Sequence, residues 1–156
     1  MELKKGDSIP NFKAKDTNGN DFDSQKLIGQ KPLVIYFYPK DNTPGCTAQA
    51  CSFRDQYEDF KDLGAEVIGI SSDTVESHQK FMKQYKLPFI LLSDHDKKIR
   101  RLFGVPSGMF GMLPGRVTYV VDKEGKIIMV FDSMLATKHI PKALEAVKKL
   151  TSSQSR

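Results

Sequence analysis

The two cysteines of this 156-residue sequence stand five positions apart, as Cys46 and Cys51, within PKDNTPGCTAQAC at residues 39–51. A cysteine does chemistry as its thiolate, so what matters is what surrounds each sulfur. The segment reads as the start of a helix. Thr43 suits the N-cap, Pro44 then falls at N1, and Cys46 falls at N3. The Thr43 hydroxyl is thereby set to accept from the Cys46 amide. A sulfur in the first turn also lies at the positive end of the helix dipole, which favours the ionised form. At an ordinary pKa of about 8.5 a thiol is ~3% ionised at pH 7, and at about 6 it is ~90% ionised, a gain of roughly thirtyfold. Enzymatic accelerations start near ~10⁶, so such a site must also orient its substrate and stabilise charge. A plain helix cap followed by an inert packing cysteine would give the same local pattern.

Cys51 sharpens the reading. On an ideal helix, residues five apart have Cα atoms about 8.7 Å from each other. A disulfide needs roughly 4.4–6.8 Å. A Cys46–Cys51 bridge therefore requires the first turns to unwind, which suits a transient, catalytic disulfide better than a structural one. The alternative is a buried helix residue beside Ala48 and Ala50.

The elements that position this segment follow from the hydrophobic pattern. Residues 33–38, LVIYFY, form a continuous apolar run suited to a strand buried on both faces. Residues 43–63 read as a long helix ended by Gly64. Residues 65–71 and 89–92 read as further buried strands, separated by a helix at 74–85. A short helix is expected at 97–103, a strand hairpin at 117–131 around the turn 122–125, and a closing helix at 139–150. The latter carries Ile140, Leu144, Val147 and Leu150 along one stripe. At the N-terminus, Asn18-Gly19-Asn20 marks the turn of a β-hairpin over residues 11–24. The whole reads as an α/β fold, a central mixed sheet covered by helices on both faces. The order is compatible with a thioredoxin-like fold, among other three-layer arrangements. It places the cysteine segment where a buried strand gives way to a helix, the usual ligand position in open α/β sheets.

Composition narrows the class. Hydrophobic residues make up 39% and charged residues 28%. Residues 1–150 are expected to form one domain, with a polar tail at 151–156. No apolar run approaches the ~20 residues of a membrane span. The first residues resemble neither a signal nor a transit peptide, so the expected location is the cytoplasm, or an organelle in mature form. The net charge is +5, but the lysines are dispersed without a basic block, which argues against nucleic acid. Steering of an acidic protein partner is the alternative use of that charge.

At this point the residues resemble a known family. PKDNTPGC matches the peroxiredoxin pattern Pro-x-x-x-Thr-x-x-Cys, and the cysteine five residues on is similar to the peroxiredoxin Q, or bacterioferritin comigratory protein, subgroup. Similarity continues through VIGISSD, FILLSD and LPGRVTYVVDKEGKI, and FGMLPGRVTYVVD resembles the plant and cyanobacterial branch. The resemblance implies a thioredoxin-like fold and a thiol peroxidase. Cys46 would be the nucleophile that reduces hydrogen peroxide and organic hydroperoxides, and Cys51 would resolve its sulfenic acid into a disulfide. Thr43 would hold the peroxide oxygen and the thiolate. Pro39 would shield the site, and Arg116 would pair with the thiolate and polarise the peroxide. The resemblance also implies re-reduction by thioredoxin or a similar dithiol protein, a monomeric chain, and no metal, flavin or haem cofactor.

Other candidates are weaker. His78, His95 and His139 lack ligand spacing to the cysteines and are expected at the surface. Asp94, Asp96, Asp122 and Glu124 sit in turn signals. Arg54 is expected to be solvated or structural. Residues 108–115, GMFGMLPG, lack the ending of a phosphate loop and read as a mobile loop with an apolar patch at Phe110, Met112 and Leu113. A disulfide reductase would prefer Cys-x-x-Cys. A redox-switched binding or sensor module, whose helix unwinds on oxidation, is the non-enzymatic alternative, and catalytic turnover separates the two.

Overall fold

Residues 2–105 and 115–154 are described by the structure, a computed structural model. A seven-stranded mixed sheet organises the chain. In chain order its elements are β1 (Lys13–Lys15), β2 (Asp21–Asp23), β3 (Leu33–Phe37), α1 (Pro44–Asp62), β4 (Glu66–Ser71), α2 (Val75–Tyr85), β5 (Ile90–Ser93), α3 (Lys98–Phe103), β6 (Val117–Val121), β7 (Ile127–Asp132) and α4 (His139–Gln154). The sheet order is β2-β1-β5-β4-β3-β6-β7. β3 pairs parallel with β4 and antiparallel with β6, so it runs through the centre. This explains why all five of its residues are buried. Its side chains alternate between two cores. Val34 and Tyr36 face one with Phe53 and Phe60 of α1, Phe81 of α2 and Val147 of α4. Leu33, Ile35 and Phe37 face the other with Ile99 and Phe103 of α3 and Ile9 and Phe12 of the N-terminal segment.

Element ends follow local chemistry. α1 closes at Gly64, whose φ of 82° suits the left-handed position, with the Ala65 amide donating to the Phe60 carbonyl. The N-terminal hairpin turns at Gly19, held by the Asp16 carboxylate, which accepts from the amides of Asn18 and Asn20. α4 runs to Gln154, so the helix takes in four residues that the sequence reading gave to the tail. Residues 106–114 lie outside the described residues, and with them the apolar patch expected at Phe110, Met112 and Leu113.

One contact sets the height of α1 over the sheet. The Tyr36 ring stacks on Phe53 of α1, with centroids 4.6 Å apart, and its other end lies over Gly69 of β4. A Cβ at Gly69 would come within 2.8 Å of Tyr36 Cζ and 2.9 Å of Leu91 Cδ2. Gly69→Ala must therefore push the ring, and α1 with it. We expect this substitution to lower the unfolding free energy by about 1–3 kcal/mol, measured as a shift in urea midpoint.

Candidate active site

The turn after β3 delivers a polar, constrained loop to the start of α1. Thr43 is the N-cap in extended conformation (φ −89°, ψ 154°), and Pro44 opens the helix. The Thr43 carbonyl accepts the first helical bond, from the Thr47 amide at 2.8 Å. The Thr43 side chain departs from the sequence expectation. Its hydroxyl makes no cap bond and donates instead to the Lys40 carbonyl at 2.9 Å. The amides of Gly45 and Cys46 are left without an acceptor among the described residues, as the first amides of an uncapped helix are. Pro39, half-buried, sits between β3 and this loop.

Cys46 is 1% exposed and Cys51 half-buried; both are free thiols on the intact helix. Arg116 precedes β6, and its side chain projects to the face covered by α1. It is 4% exposed, so it is no surface cation. Nη2 donates to Cys46 Sγ at 3.4 Å, and Nη1 donates to Gln49 Oε1 at 2.5 Å. Gly45 makes the approach possible. A Cβ there would lie 3.0 Å from Arg116 Nη2 and 4.0 Å from the Ala136 Cβ. The 3-10 turn Ala136–Lys138 packs against α1 on that side. Arg116 Nε and Gln49 Nε2 are buried donors with no partner among the described residues. A thiol, a guanidinium and free amides thus converge at one helix start, an arrangement suited to nucleophilic attack with stabilisation of an anion.

The sequence matches the AhpC/TSA family over residues 5–130. The chain belongs to that family. Curated relatives include peroxiredoxin Q, chloroplastic, of Sedum lineare, 52% identical over 96% of this chain and 80% of the relative. The Populus jackii protein of the same name is 50% identical over 96% and 70%. Among solved structures, the peroxidoxin BcpB of Mycobacterium tuberculosis superposes with a TM-score of 0.87 at 34% identity, covering 96% of this chain and 99% of that one. A Xanthomonas campestris peroxiredoxin Q structure gives 0.81 at 31% identity, covering 90% and 91%. The chain is a peroxiredoxin with the thioredoxin-like architecture of those structures, and its activity is that of a thiol-dependent peroxidase.

Several residues of this peroxiredoxin escaped the sequence reading. Gln49 was not singled out, although it stands three positions after Cys46, on the same helical face. Asp41 was missed as well. Its carboxylate accepts from the Tyr38 hydroxyl at 2.7 Å and the Ser77 hydroxyl at 2.8 Å, and its Oδ2 lies 2.6 Å from His78 Nδ1, in hydrogen-bond contact. Its amide donates to Asp73 Oδ2 at 2.9 Å. This network pins the loop ahead of Thr43. His78 and His139 were expected at the surface, yet both are 0% exposed. Each is buried because both ring nitrogens are satisfied, which removes the penalty for burying an imidazole. The ligand atoms of Asp41, Asp73 and His78 lie within 4.8 Å of one another, the one cluster among the described residues with metal-ligand types. Each carboxylate and ring nitrogen in it already takes part in a hydrogen bond. Arg54 is structural, donating to the Tyr85 carbonyl at the end of α2.

His139 borders the site. Its Nε2 donates to the Ser133 carbonyl at 2.7 Å, so in its neutral form Nδ1 accepts from the Thr118 hydroxyl, also at 2.7 Å. Burial, with the Arg116 charge acting the same way, lowers its pKa from 6.5 to about 4, against the hydrogen bond to Ser133. The unfolded chain takes up this proton below about pH 6.5, while the folded chain resists until about pH 4. The resulting stability is complete above that window and lost as pH falls through it, by up to about 3 kcal/mol. We expect His139→Gln to be less stable than the parent at pH 7 but to lose less on acidification to pH 4.5, measured by urea unfolding at both pH values.

Proposed function

We propose that Cys46 is the peroxidatic nucleophile of this thiol peroxidase and Cys51 its resolving partner. The observation that carries the assignment is the buried guanidinium of Arg116 donating to the buried Cys46 Sγ at 3.4 Å at a helix start. The Cys46 thiolate attacks the distal oxygen of a hydroperoxide. An S–O bond forms and the O–O bond breaks. Water leaves from hydrogen peroxide, or an alcohol from an organic hydroperoxide, after uptake of one proton. Charge develops on both peroxide oxygens, and Arg116 with the amides of Gly45 and Cys46 supplies fixed donors for it. Gln49 holds Arg116 in line from the other guanidinium nitrogen. The Thr43 hydroxyl, its O–H donating to the Lys40 carbonyl, keeps lone pairs free to accept from the peroxide O–H. Pro39, half-buried between β3 and this loop, shields the thiolate.

The Cys51 thiol then condenses with the Cys46 sulfenic acid, forming the disulfide and releasing water. Because Cys46 is buried in an intact first turn, this step requires that turn to unwind. A dithiol protein of the thioredoxin type reopens the bond by exchange and leaves both cysteines reduced. One chain carries the nucleophile, its partner thiol and the arginine, so the cycle runs in a monomer. The chloroplast naming of the relatives favours the organelle alternative for its compartment.

Peroxide consumption coupled to thioredoxin, its reductase and NADPH tests the reading. Cys46→Ser is expected to abolish turnover. Cys51→Ser is expected to react once with peroxide and then stop. Activity retained in Cys46→Ser would sink the nucleophile assignment. A wild type that forms the disulfide without turning over would favour the redox-switch reading instead. Arg116→Lys keeps the charge but loses the fork. We expect it to slow the single-turnover reaction of Cys46 with hydrogen peroxide by about 10²–10³-fold, the usual cost of removing one fixed donor.

A further inference from the structure

Arg100 lies behind the site, on the opposite face of the sheet, and the chemistry above gives it no part. It projects from α3, is 9% exposed, and packs its guanidinium over the Phe37 ring, 5.6 Å from the centroid. A buried guanidinium usually meets a carboxylate. Among the described residues this one makes no ion pair. Instead Nη1 donates to the Gly115 carbonyl at 3.1 Å and Nη2 to the Tyr38 carbonyl at 3.2 Å. Gly115 immediately precedes Arg116, and Tyr38 immediately precedes Pro39.

The sheet register explains why a side chain is needed there. β3 and β6 pair antiparallel, with Phe37 opposite Val117 at the open end. Continuing that register would set Pro39 opposite Gly115. Proline has no N–H, so the ladder cannot supply a donor to the buried Gly115 carbonyl. Nη1 of Arg100 takes the place of the missing amide. The planar fork then lets the same side chain hold the Tyr38 carbonyl as well, which a lysine could not do with fixed geometry. Burial lowers the Arg100 pKa, with Asp94 and Tyr119 acting in the other direction. A cation kept under such conditions, on two neutral carbonyls, is a costly way to close a strand end.

We propose that Arg100 is a positioning residue for the peroxidase site. By gripping the backbone ahead of Pro39 and ahead of Arg116, it fixes the distance between the loop that carries Cys46 and the side chain that donates to its sulfur. The inference rests on the roles given above to Cys46 and Arg116. Displacements of about 1 Å at reacting groups cost on the order of 10²-fold in rate.

The test uses the Cys51→Ser protein as parent, so that only the first chemical step is read. Arg100→Met and Arg100→Lys are compared with it in three measurements. These are the single-turnover rate of Cys46 with hydrogen peroxide, the pH profile of Cys46 alkylation by iodoacetamide, and the thermal midpoint. Arg100→Met is expected to react at least about tenfold more slowly, with its alkylation profile moved to higher pH. Arg100→Lys, able to keep one carbonyl, is expected to fall between. A role in folding alone would lower the thermal midpoint while leaving the rate within twofold and the profile unmoved; that result overturns the proposal. If Arg100→Met does not fold, the same two readouts on Arg100→Lys decide. Should the parent fail to react with peroxide while the Arg100 variants still shift the alkylation profile, the positioning role stands and the peroxidase assignment of Cys46 falls.

Discussion

A guanidinium held 3.4 Å from a buried sulfur is the contact around which this molecule is arranged. Arginine and cysteine at 4% and 1% exposure give up most of their hydration, and charge in such a place is costly unless its donors are met. Gln49 meets one nitrogen of Arg116 and the sulfur meets another, while Nε has no partner among the described residues. Gly45 has no side chain because a methyl would stand 3.0 Å from the guanidinium. The bare amides of the helix start add positive potential to the same spot. The choice of glycine, glutamine and cysteine within one turn of α1 thus follows from a residue that enters from a distant strand.

The sheet exists, from the standpoint of this contact, to bring two chain segments together. Cys46 follows β3 and Arg116 precedes β6, and these strands are antiparallel neighbours at the centre of the sheet. Central strands have ladders on both sides and cores on both faces, so they are the least yielding part of such a fold. The stacking of Tyr36 on Phe53 fixes α1 over that platform. The Asp41 network fixes the loop from the side of α2. Rigid elements therefore enclose a site whose own first turn is held by few bonds.

Local signals in the sequence were enough for what is local. Thr43-Pro44 marked the helix start, Gly64 its end, and the apolar run of β3 its burial on two faces. Even there the side chain of Thr43 chose the Lys40 carbonyl over the cap, because a hydroxyl has several partners of similar value nearby. Arg116 could be named only through family resemblance, since its partner lies 70 residues away and no periodicity encodes that pairing. Gln49 was readable in principle from its i+3 relation to Cys46. His78 and His139 were misplaced because their burial depends on acceptors and donors from other elements, such as the Leu92 carbonyl and the Thr118 hydroxyl. Polar residues enter a core when tertiary structure satisfies them, and composition carries no trace of that.

The anchoring of α1 at both ends of its first turns has a further consequence. Upstream, Asp41 is tied by its carboxylate to Tyr38, Ser77 and His78. Downstream, Phe53 is 0% exposed in the core. Both cysteines lie on the short tether between those fixed points. Any excursion of this tether keeps the two sulfurs within a few residues of one another, at an effective concentration on the order of millimolar or above. A thiol supplied by another molecule would have to reach that concentration in solution to compete. The geometry therefore makes the encounter of the two sulfurs a property of the tether, insulated from how abundant the protein is and from the pairing of the strands beneath it.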